Sequence, residues 1–383
     1  MQKRLVILGS TGSIGESALQ VADALRGQFQ VVGLTANSRW QRLAEQAERF
    51  SVPYVAIADE THRDTLRATV SAKCHVLSGN ESLSELINVA EPDFVLSAIV
   101  GAAGLPATLT AVQNGISVGL ANKESLVIAG SLLMPLARRR GAQLIPVDSE
   151  HSAIFQALRG ENRASVRKIY LTASGGPFRT WTAEQIEGAT LAEALNHPTW
   201  SMGPKITIDS ATMMNKALEI IEARHLFGFD TDEIEVLIHP ESIVHSMVEF
   251  CDGPIIAQLG TADMKTPIQY AMTYPQRAER MAESLDWTQA RTLNFEPPNF
   301  DLFPALKLGF EAARRGGTAG AALNAANEAA VQRFRDGTLS LGQVVRVSED
   351  ALRRHTFIET PTLDQLLAVD AWARQEVEAC IRC

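Results

Sequence analysis

A chain of 383 residues with 46% hydrophobic and 21% charged residues has the composition of a globular protein and the length of two or three domains. Its net charge of −9 argues against nucleic acid or an anionic membrane as a partner, although lysines and helix N-termini can still bind a small phosphorylated substrate. The N-terminal apolar run is too short for a signal peptide, no run reaches the length of a membrane span, and the cysteines are scattered. We therefore expect a cytoplasmic protein.

The first 149 residues alternate short apolar runs with helical stretches. Such runs are typical of buried parallel strands, and the alternation predicts a doubly wound, Rossmann-type α/β domain over residues 1–149. The predicted strands are Arg4–Leu8, Gln30–Leu34, Tyr54–Ile57, His75–Leu77, Phe94–Ala98, Ile116–Leu120 and Gln143–Val147, and the predicted helices include Ser17–Leu25 and Trp40–Phe50.

The rest of the chain predicts two further domains joined by a linker. Residues 150–285 have the mixed pattern of an α+β domain, the proline-rich residues 286–304 are typical of a linker, and residues 305–383 predict a C-terminal helical bundle. The elements expected in the α+β domain are a strand at Lys168–Thr172, a helix at Asp209–Ala223 that begins at Asp209 or Ser210, and a hairpin of Ile243–Phe250 and Pro254–Leu259.

A glycine-rich loop, Gly9-Ser-Thr-Gly12-Ser-Ile-Gly15, follows the first predicted strand and opens a helix. This context is typical of a dinucleotide site, because glycines let the backbone approach a pyrophosphate that the helix N-terminus then holds. The alternative is a tight turn that binds nothing. NAD-binding domains usually carry an acidic residue after the second strand, whereas Thr35–Arg39 has no carboxylate and one guanidinium, which favours NADP.

Candidate polar residues follow several of the predicted strands. Ligands of open α/β sheets bind beyond the carboxyl ends of the strands, so this placement favours a functional role. The segments are Gly9–Gly15 after the first strand, Ala36–Arg39 after the second, Asn122–Glu124 after the sixth and Asp148–Glu150 after the last.

Three carboxylates, Asp148, Glu150 and Glu219, form a candidate metal site. Asp148 and Glu150 are two residues apart on a segment predicted to be extended, so their side chains should project to one side and repel unless a cation or proton lies between them. The alternative is a solvated strand end. With Glu219, the set offers the hard oxygen ligands that suit Mg²⁺ or Mn²⁺.

The helix predicted at Asp209–Ala223 carries Asn215, Lys216 and Glu219 at spacings of three and four residues, which places them along one edge. A surface lysine–glutamate pair is the alternative interpretation. The flanking methionine, leucine and isoleucine residues favour a buried helix instead, and Ser210 can cap the helix or bind a phosphate.

Residues 196–205 combine a histidine, a tryptophan and a lysine with two prolines and a glycine. A lone histidine is more often structural than catalytic. An indole in such a breaker-rich loop nevertheless predicts a mobile lid, in which Trp200 closes over the substrate and excludes water.

Six segments together resemble the 1-deoxy-D-xylulose 5-phosphate reductoisomerases, and the resemblance covers essentially the whole chain. The long segment at 197–223 is the most specific of them. They are LGSTGSIG (8–15), ANKESL (121–126), PVDSEHSAIFQ (146–156), TASGGPFR (172–179), HPTWSMGPKITIDSATMMNKALEIIEA (197–223) and IHPESIVHS (238–246).

The resemblance implies roles for individual residues. The metal ligands would be Asp148, Glu150 and Glu219, and the catalytic set adds Lys123 and His197. The substrate contacts would be Lys123, Ser149, Glu150, Ser174, His197, Trp200, Ser210, Asn215, Lys216 and Glu219, with the serines, Asn215 and Lys216 at the phosphate. The NADPH contacts would be Thr11, Gly12, Ser13, Ile14, Asn37, Arg39, Asn122, Glu124 and Gly203. This chain departs from the family after the second strand, where Ala36-Asn37-Ser38-Arg39 replaces a frequent Gly-Lys-Asn, so the residue at the 2′-phosphate stays open and Arg39 is our choice.

The reaction implied is a rearrangement of 1-deoxy-D-xylulose 5-phosphate, by a retro-aldol or an α-ketol route, followed by reduction to 2-C-methyl-D-erythritol 4-phosphate. NADPH and Mn²⁺ or Mg²⁺, with Co²⁺ as a further option, would be the cofactors, and the resemblance also implies a homodimer. Two rivals are an NADP-linked semialdehyde dehydrogenase and a nucleotide-binding sensor without activity. The first needs a cysteine nucleophile, which neither Cys74 nor Cys251 is placed to supply, and the second would be free to lose the carboxylates.

Overall fold

A computed structural model describes residues 2–381, so Met1 and the last two residues of the predicted C-terminal domain, Arg382 and Cys383, lie outside it. The described chain forms two compact units. Within the described residues, the first comprises 2–125, 133–149 and 263–283, and the second comprises 126–132, 150–262 and 284–381.

The strands and helices are numbered in chain order. The strands are β1 (Lys3–Leu8), β2 (Phe29–Ala36), β3 (Tyr54–Ile57), β4 (His75–Ser78), β5 (Phe94–Ser97), β6 (Ser117–Leu120), β7 (Leu144–Pro146), β8 (Val166–Ala173), β9 (Ile234–Ile238), β10 (Val244–Phe250) and β11 (Ile255–Leu259). The helices are α1 (Ser13–Ala24), α2 (Trp40–Phe50), α3 (Arg63–Thr69), α4 (Ser82–Ala90), α5 (Leu105–Gln113), α6 (Lys123–Arg140), α7 (Ser149–Ala157), α8 (Ala183–Glu187), α9 (Leu191–Ala194), α10 (Pro204–Ala211), α11 (Met214–Phe227), α12 (Lys265–Thr273), α13 (Ala305–Arg315), α14 (Ala319–Arg335), α15 (Leu341–Arg354) and α16 (Leu363–Ile381).

The first unit is a doubly wound α/β domain built on a seven-stranded parallel sheet. Its strand order is β4-β3-β2-β1-β5-β6-β7, and all seven strands predicted from the sequence are present. The central strands are apolar over most of their length because helices cover both faces of a parallel sheet; Leu5 to Leu8 of β1 are fully buried. The predicted Rossmann-type fold is confirmed.

The second unit combines a four-stranded mixed sheet, in the order β11-β10-β8-β9, with a large set of helices. The predicted hairpin is confirmed: β10 and β11 pair in antiparallel fashion around a turn in which Gly253 has a φ of +100°. One face of the sheet lies on α11, and α13 to α16 add the C-terminal helices to the same hydrophobic core. This confirms the predicted α+β and helical parts.

The single helix predicted at Asp209–Ala223 is wrong, because the chain breaks there into α10 and α11. Met213 adopts a left-handed φ of +62°, and the hydroxyl of Thr212 accepts the N–H of Met214 at the new helix start. A non-glycine residue in this conformation costs about 1–3 kcal/mol, which the burial of Met213 offsets. Neither Asp209 nor Ser210 therefore begins the helix that carries Glu219.

Close packing sets the position of α11 in the second unit. A side chain on Gly309 of α13 would place its Cβ 2.6 Å from the Cα of Ala217, so the two helices touch backbone to backbone at this point. Ala217 and Leu218 are fully buried, and the segment that bears Asn215, Lys216 and Glu219 is fixed from behind.

Two segments belong to other parts of the fold than the predicted domain boundaries imply. Helix α12, which lies inside the range 150–285, belongs to the first unit because it packs on α1, β6 and β7. Glu296, inside the predicted linker, pairs with Ile238 at the end of β9. The division of the chain into four functional domains stays a prediction. Among residues 2–381, no helix is both long and apolar enough to cross a membrane.

Candidate functional site

The glycine loop of the first unit has the form expected for a dinucleotide site. A Cβ on Gly15 would lie 2.3 Å from the carbonyl oxygen of Gly9, so only glycine permits this turn into α1. Gly12 is the N-cap of α1 and has no side chain to offer the first turn, whose N–H groups are therefore available to an anion. The predicted NADPH contacts Thr11, Gly12, Ser13 and Ile14 make up this turn.

The loop after β5 lies beside the glycine loop, and the sequence analysis missed it. The sheet order makes β5 the neighbour of β1 on the side where the strand order reverses, which is the point where doubly wound folds bind their ligands. A Cβ on Gly9 would meet the carbonyl oxygen of Ala98 at 2.7 Å, and Val100 is 69% exposed. Strand order was needed to single out residues 98–101.

Arg39 connects the end of β2 to the glycine loop. Its guanidinium donates a hydrogen bond to the carbonyl oxygen of Thr11 at 3.1 Å, and both Asn37 and Arg39 are exposed. The positive charge therefore lies at the loop that would hold a dinucleotide, within the same unit.

Asn122 and Lys123 occupy the start of α6. The Asn122 side chain accepts the N–H of Ser125 as the helix cap, and it donates to the carbonyl oxygen of Gly101 and to Glu124, both at 3.0 Å. The Lys123 ammonium lies 2.8 Å from a carboxylate oxygen of Asp148, and both side chains are largely buried. Asp148 is thus held by a lysine of the same unit.

The extended segment predicted for Asp148 and Glu150 is wrong, because α7 begins at Ser149. Glu150 lies in the first turn of that helix, where the macrodipole stabilises a negative charge. In the second unit, the carboxylate oxygens of Glu150 and Glu219 approach within 4.8 Å of one another, which is close enough to share a cation.

Glu219 is fully buried on α11 and accepts hydrogen bonds from Asn215 and from the ammonium of Lys216. Lys216 is only 3% exposed, so the pair is not the surface ion pair considered as the alternative. Because the helix breaks at Met213, Asn215 and Lys216 occupy the first turn of α11, where backbone N–H groups also point outward. This end of the helix can bind a phosphate.

His151 lies directly behind Glu219, and the sequence analysis assigned it no role. Its Nε2 donates to the carbonyl oxygen of Glu219 at 3.0 Å, and its Nδ1 lies 3.5 Å from a carboxylate oxygen of Glu222. All three residues are buried. The only signal in the sequence is that His151 follows Glu150.

Ser174 and Ser210 come together at the glycine bend after β8. A Cβ on Gly176 would lie 2.6 Å from the carbonyl oxygen of Ser210, so the bend closes tightly on α10. The Ser174 hydroxyl lies 3.0 Å from Nε2 of His197. Nδ1 of His197 accepts the N–H groups of Thr199 at 3.2 Å and Trp200 at 2.9 Å, so the proton is on Nε2, and burial lowers the pKa of this histidine.

Residues 197–203 have no regular secondary structure, and α10 begins directly after Gly203. Trp200 is half-buried, and its ring lies 6.1 Å from that of His245. A Cβ added at Gly203 would meet no atom within 4 Å. The mobility of the predicted lid stays a prediction.

Comparison with known proteins identifies the family. The family model described as 1-deoxy-D-xylulose 5-phosphate reductoisomerase matches residues 5–130, the model of its C-terminal domain matches residues 144–227, and a further DXP reductoisomerase C-terminal domain matches residues 259–376. The chain belongs to the 1-deoxy-D-xylulose 5-phosphate reductoisomerase family.

Relatives in this family align over nearly their whole length. A reductoisomerase from Chloroherpeton thalassium is 49% identical over 98% of this chain and 97% of its own. The Zymomonas mobilis enzyme in complex with NADPH has a TM-score of 0.93 at 42% identity, covering 100% of this chain and 99% of its own. A DOX-P reductoisomerase in complex with NADPH, fosmidomycin and magnesium has a TM-score of 0.95 at 41% identity, covering 100% and 98%.

NADPH should be preferred over NADH by this family member, and Arg39→Ala should narrow the preference by about 10- to 100-fold, because a charge-assisted hydrogen bond contributes about 1.5–3 kcal/mol. The ratio of kcat/KM for the two cofactors measures the effect. Arg63→Ala, which removes an exposed guanidinium elsewhere in the first unit, is the control. An unchanged ratio in the Arg39 variant would assign the 2′-phosphate to another residue.

Trp200→Ala should lower kcat/KM by about 10- to 100-fold, because a displaced lid leaves the substrate misoriented and hydrated. Its melting temperature should stay within about 2 °C of the wild type. Trp287→Ala, at a 65% exposed tryptophan of the same unit, should change neither quantity. A melting temperature several degrees lower for the Trp200 variant would make this residue part of the core instead.

Proposed function

We propose that this chain converts 1-deoxy-D-xylulose 5-phosphate to 2-C-methyl-D-erythritol 4-phosphate, a step towards isopentenyl diphosphate in the non-mevalonate pathway. The reaction depends on NADPH and a divalent metal. The observation that carries this proposal is the close pair of carboxylates, the half-buried Glu150 and the buried Glu219, next to the lysine- and asparagine-bearing first turn of α11. The chain also aligns with its relatives in the family over nearly its whole length.

The proposed metal ligands are Asp148, Glu150 and Glu219. Their donor set fits the group, since carboxylates are the ligands that Mg²⁺ and Mn²⁺ prefer, and Co²⁺ is a further option. Lys216 pairs with Glu219 and Lys123 with Asp148, so the negative charge that a cation would neutralise is held here by lysines. When bound, the metal supplies a Lewis acid and a template for the substrate oxygens.

The proposed phosphate site consists of Ser174, Ser210, Asn215 and Lys216. The bend at Gly176 brings the two serines together, and the N-terminus of α11 adds backbone donors and a positive dipole end. His197, with its proton on Nε2, is a donor to the sugar at the same bend. Lys123 is proposed to contact the reacting part of the sugar, and Ser149 is a further proposed substrate contact. Residues 196–205, with Trp200, are proposed to cover the sugar and exclude water.

The proposed NADPH site lies at the glycine loop. When bound there, NADPH would supply the hydride for the reduction. Thr11, Gly12, Ser13 and Ile14 would hold the pyrophosphate on the first turn of α1. The other proposed NADPH contacts are Asn37 and Arg39 at the 2′-phosphate, together with Asn122, Glu124 and Gly203.

The decisive experiment follows NADPH absorbance with 1-deoxy-D-xylulose 5-phosphate and Mn²⁺ or Mg²⁺ and identifies the product. We expect oxidation of NADPH that stops when the metal is chelated, with 2-C-methyl-D-erythritol 4-phosphate as the product. NADPH binding without turnover would favour the sensor, and turnover of a semialdehyde instead would favour the dehydrogenase.

The homodimer is part of the same proposal. Strand β11 is an edge strand of the second unit's sheet, and Ile255 and Ile256 on it are 51% and 42% exposed. An apolar edge of this kind suits pairing with a second copy of the chain. The proposal also places the protein in the cytoplasm, and the free thiols of Cys74 and Cys251 support a reducing compartment.

Ile256→Lys should shift the protein from dimer to monomer, because a charge on the edge strand opposes strand pairing. Light scattering during size-exclusion chromatography measures the mass. Val89→Lys, at an equally exposed apolar residue of α4, is the control. An unchanged dimer in the Ile256 variant would move the interface away from β11.

A further inference from the structure

Gln46 of α2 is the side chain that ties α2 to the glycine loop. It is only 3% exposed, and both the nitrogen and the oxygen of its amide form hydrogen bonds. Nε2 donates to the carbonyl oxygen of Ser10 at 3.0 Å and to a carboxylate oxygen of Glu16 at 2.9 Å, while Oε1 accepts the hydroxyl of Ser10 at 2.7 Å. One amide therefore binds both ends of the loop that turns from β1 into α1.

Other contacts in the first unit complete this attachment. The hydroxyl of Thr35, at the end of β2, accepts the N–H of Gly9 at 2.8 Å, and its carbonyl oxygen accepts the N–H of Ser10 at 2.9 Å. Arg42, one turn before Gln46, holds both carboxylate oxygens of Glu16 at 2.6 and 2.8 Å. Between residues 10 and 16, the loop is thus anchored at its ends, and the first turn of α1, which has no capping side chain, directs its N–H groups outward.

We propose that Gln46 is a positioning residue for the dinucleotide. It holds the glycine loop in the conformation in which the N–H groups of the first turn of α1 converge on the pyrophosphate, and it makes no contact with the cofactor itself. This rests on the proposed function, since it takes the loop to be the NADPH site. If the loop holds the binding conformation in only a fraction of the molecules, the apparent Kd for the ligand equals the intrinsic Kd divided by that fraction. The rate of the chemical step in the bound complex does not change.

Only an amide satisfies the three partners together. A carboxylate at position 46 would face the carbonyl oxygen of Ser10 and the carboxylate of Glu16, so Gln46→Glu is repulsive at two of the three contacts. Gln46→Met keeps the length and removes all three hydrogen bonds. Ser10→Ala removes only the hydroxyl donor, at a much smaller cost to folding.

The test is a set of steady-state and binding measurements on Gln46→Met, Gln46→Glu and Ser10→Ala, with Gln41→Met on the exposed face of the same helix as the control. We expect KM and Kd for NADPH to rise about tenfold in both Gln46 variants and less in Ser10→Ala, because the competent loop population falls. The kcat at saturating NADPH and KM for the sugar phosphate should stay within about twofold of the wild type.

The outcomes separate this inference from the proposed function. A wild-type protein that does not bind NADPH overturns the function and the inference with it. Normal wild-type turnover with an unchanged KM for NADPH in the Gln46 variants overturns the inference alone, even if those variants melt at a lower temperature. If the Gln46 variants do not fold, an unchanged Kd for NADPH in Ser10→Ala overturns it.

Discussion

Replacing Glu219 by glutamine is expected to nearly abolish turnover while leaving NADPH binding unchanged. The substitution keeps the size and helix propensity of the side chain but removes one of the three negative charges proposed to hold the cation. Sites built mainly from carboxylates lose metal affinity steeply when the number of charged ligands falls. The nucleotide is proposed to bind at the glycine loop of the first unit, so its Kd should not respond.

A Mn²⁺ titration of both proteins measures the effect on the metal. A large shift to higher Mn²⁺ concentration in the variant supports ligation, and superimposable curves would show that Glu219 is not a ligand. Glu311→Gln, at a half-exposed acid of α13, controls for the loss of one negative charge in the same unit.

The same substitution should lower stability, because Glu219 is fully buried and is the partner of the buried Lys216. Removing one member of a buried ion pair costs about 3–5 kcal/mol, and a glutamine that still accepts a hydrogen bond from the lysine recovers part of this. Activity should therefore be compared below the melting temperature of the variant.

Lys123→Met is expected to lower kcat by about 100-fold or more, because Lys123 is proposed to lie next to the reacting oxygens, where a buried cation stabilises charge that develops in the transition state. The ammonium lies 2.8 Å from Asp148 in a largely buried position, so methionine preserves the packing and removes the charge. Single-turnover rates at saturating NADPH and metal measure the effect, with Lys73→Met at an exposed lysine as the control.

The response to Mn²⁺ should distinguish Lys123→Met from Glu219→Gln. Lys123 competes with a cation for the carboxylate of Asp148, so its removal should leave Mn²⁺ affinity unchanged or stronger. The Glu219 variant should lose affinity. Weaker Mn²⁺ binding in Lys123→Met, with an unchanged kcat, would make the lysine a structural partner of Asp148 and no more.

Local patterns were sufficient for the strands of the first unit and for α2, whereas α1 begins at Ser13 and not at the predicted Ser17. The seven strands are short apolar runs bounded by polar residues or glycine, and α2 begins and ends at Trp40 and Phe50 as predicted, because its apolar residues recur at helical spacing. The hairpin of β10 and β11 follows from the turn at Cys251-Asp252-Gly253. Such features depend only on residues that are neighbours in the sequence, so a single sequence is enough to predict them.

Local patterns also misled where the tertiary structure overrides them. Nothing in Ala211-Thr212-Met213-Met214 resembles a helix break, yet Met213 is left-handed and α11 is held from behind by the contact of Gly309 with Ala217. Asp148 and Glu150 follow an apolar strand, so the sequence predicted an extended segment there, whereas in the structure α7 begins at Ser149. In both places the predicted backbone conformation was wrong, and the roles assigned to the site residues stay predictions.

Partnerships between distant residues were beyond the sequence altogether. That β5 lies beside β1, that Gln46 reaches Ser10 and Glu16, and that His151 supports Glu219 all depend on how elements pack, and one sequence without relatives carries no signal for pairs of distant positions. Residue type and spacing determined which chemistry this protein can perform, since carboxylates, lysines and a glycine loop can be recognised one at a time. Packing alone decided which of them are buried, paired and oriented, because burial and hydrogen bonding are properties of neighbours that the chain brings together only when it folds.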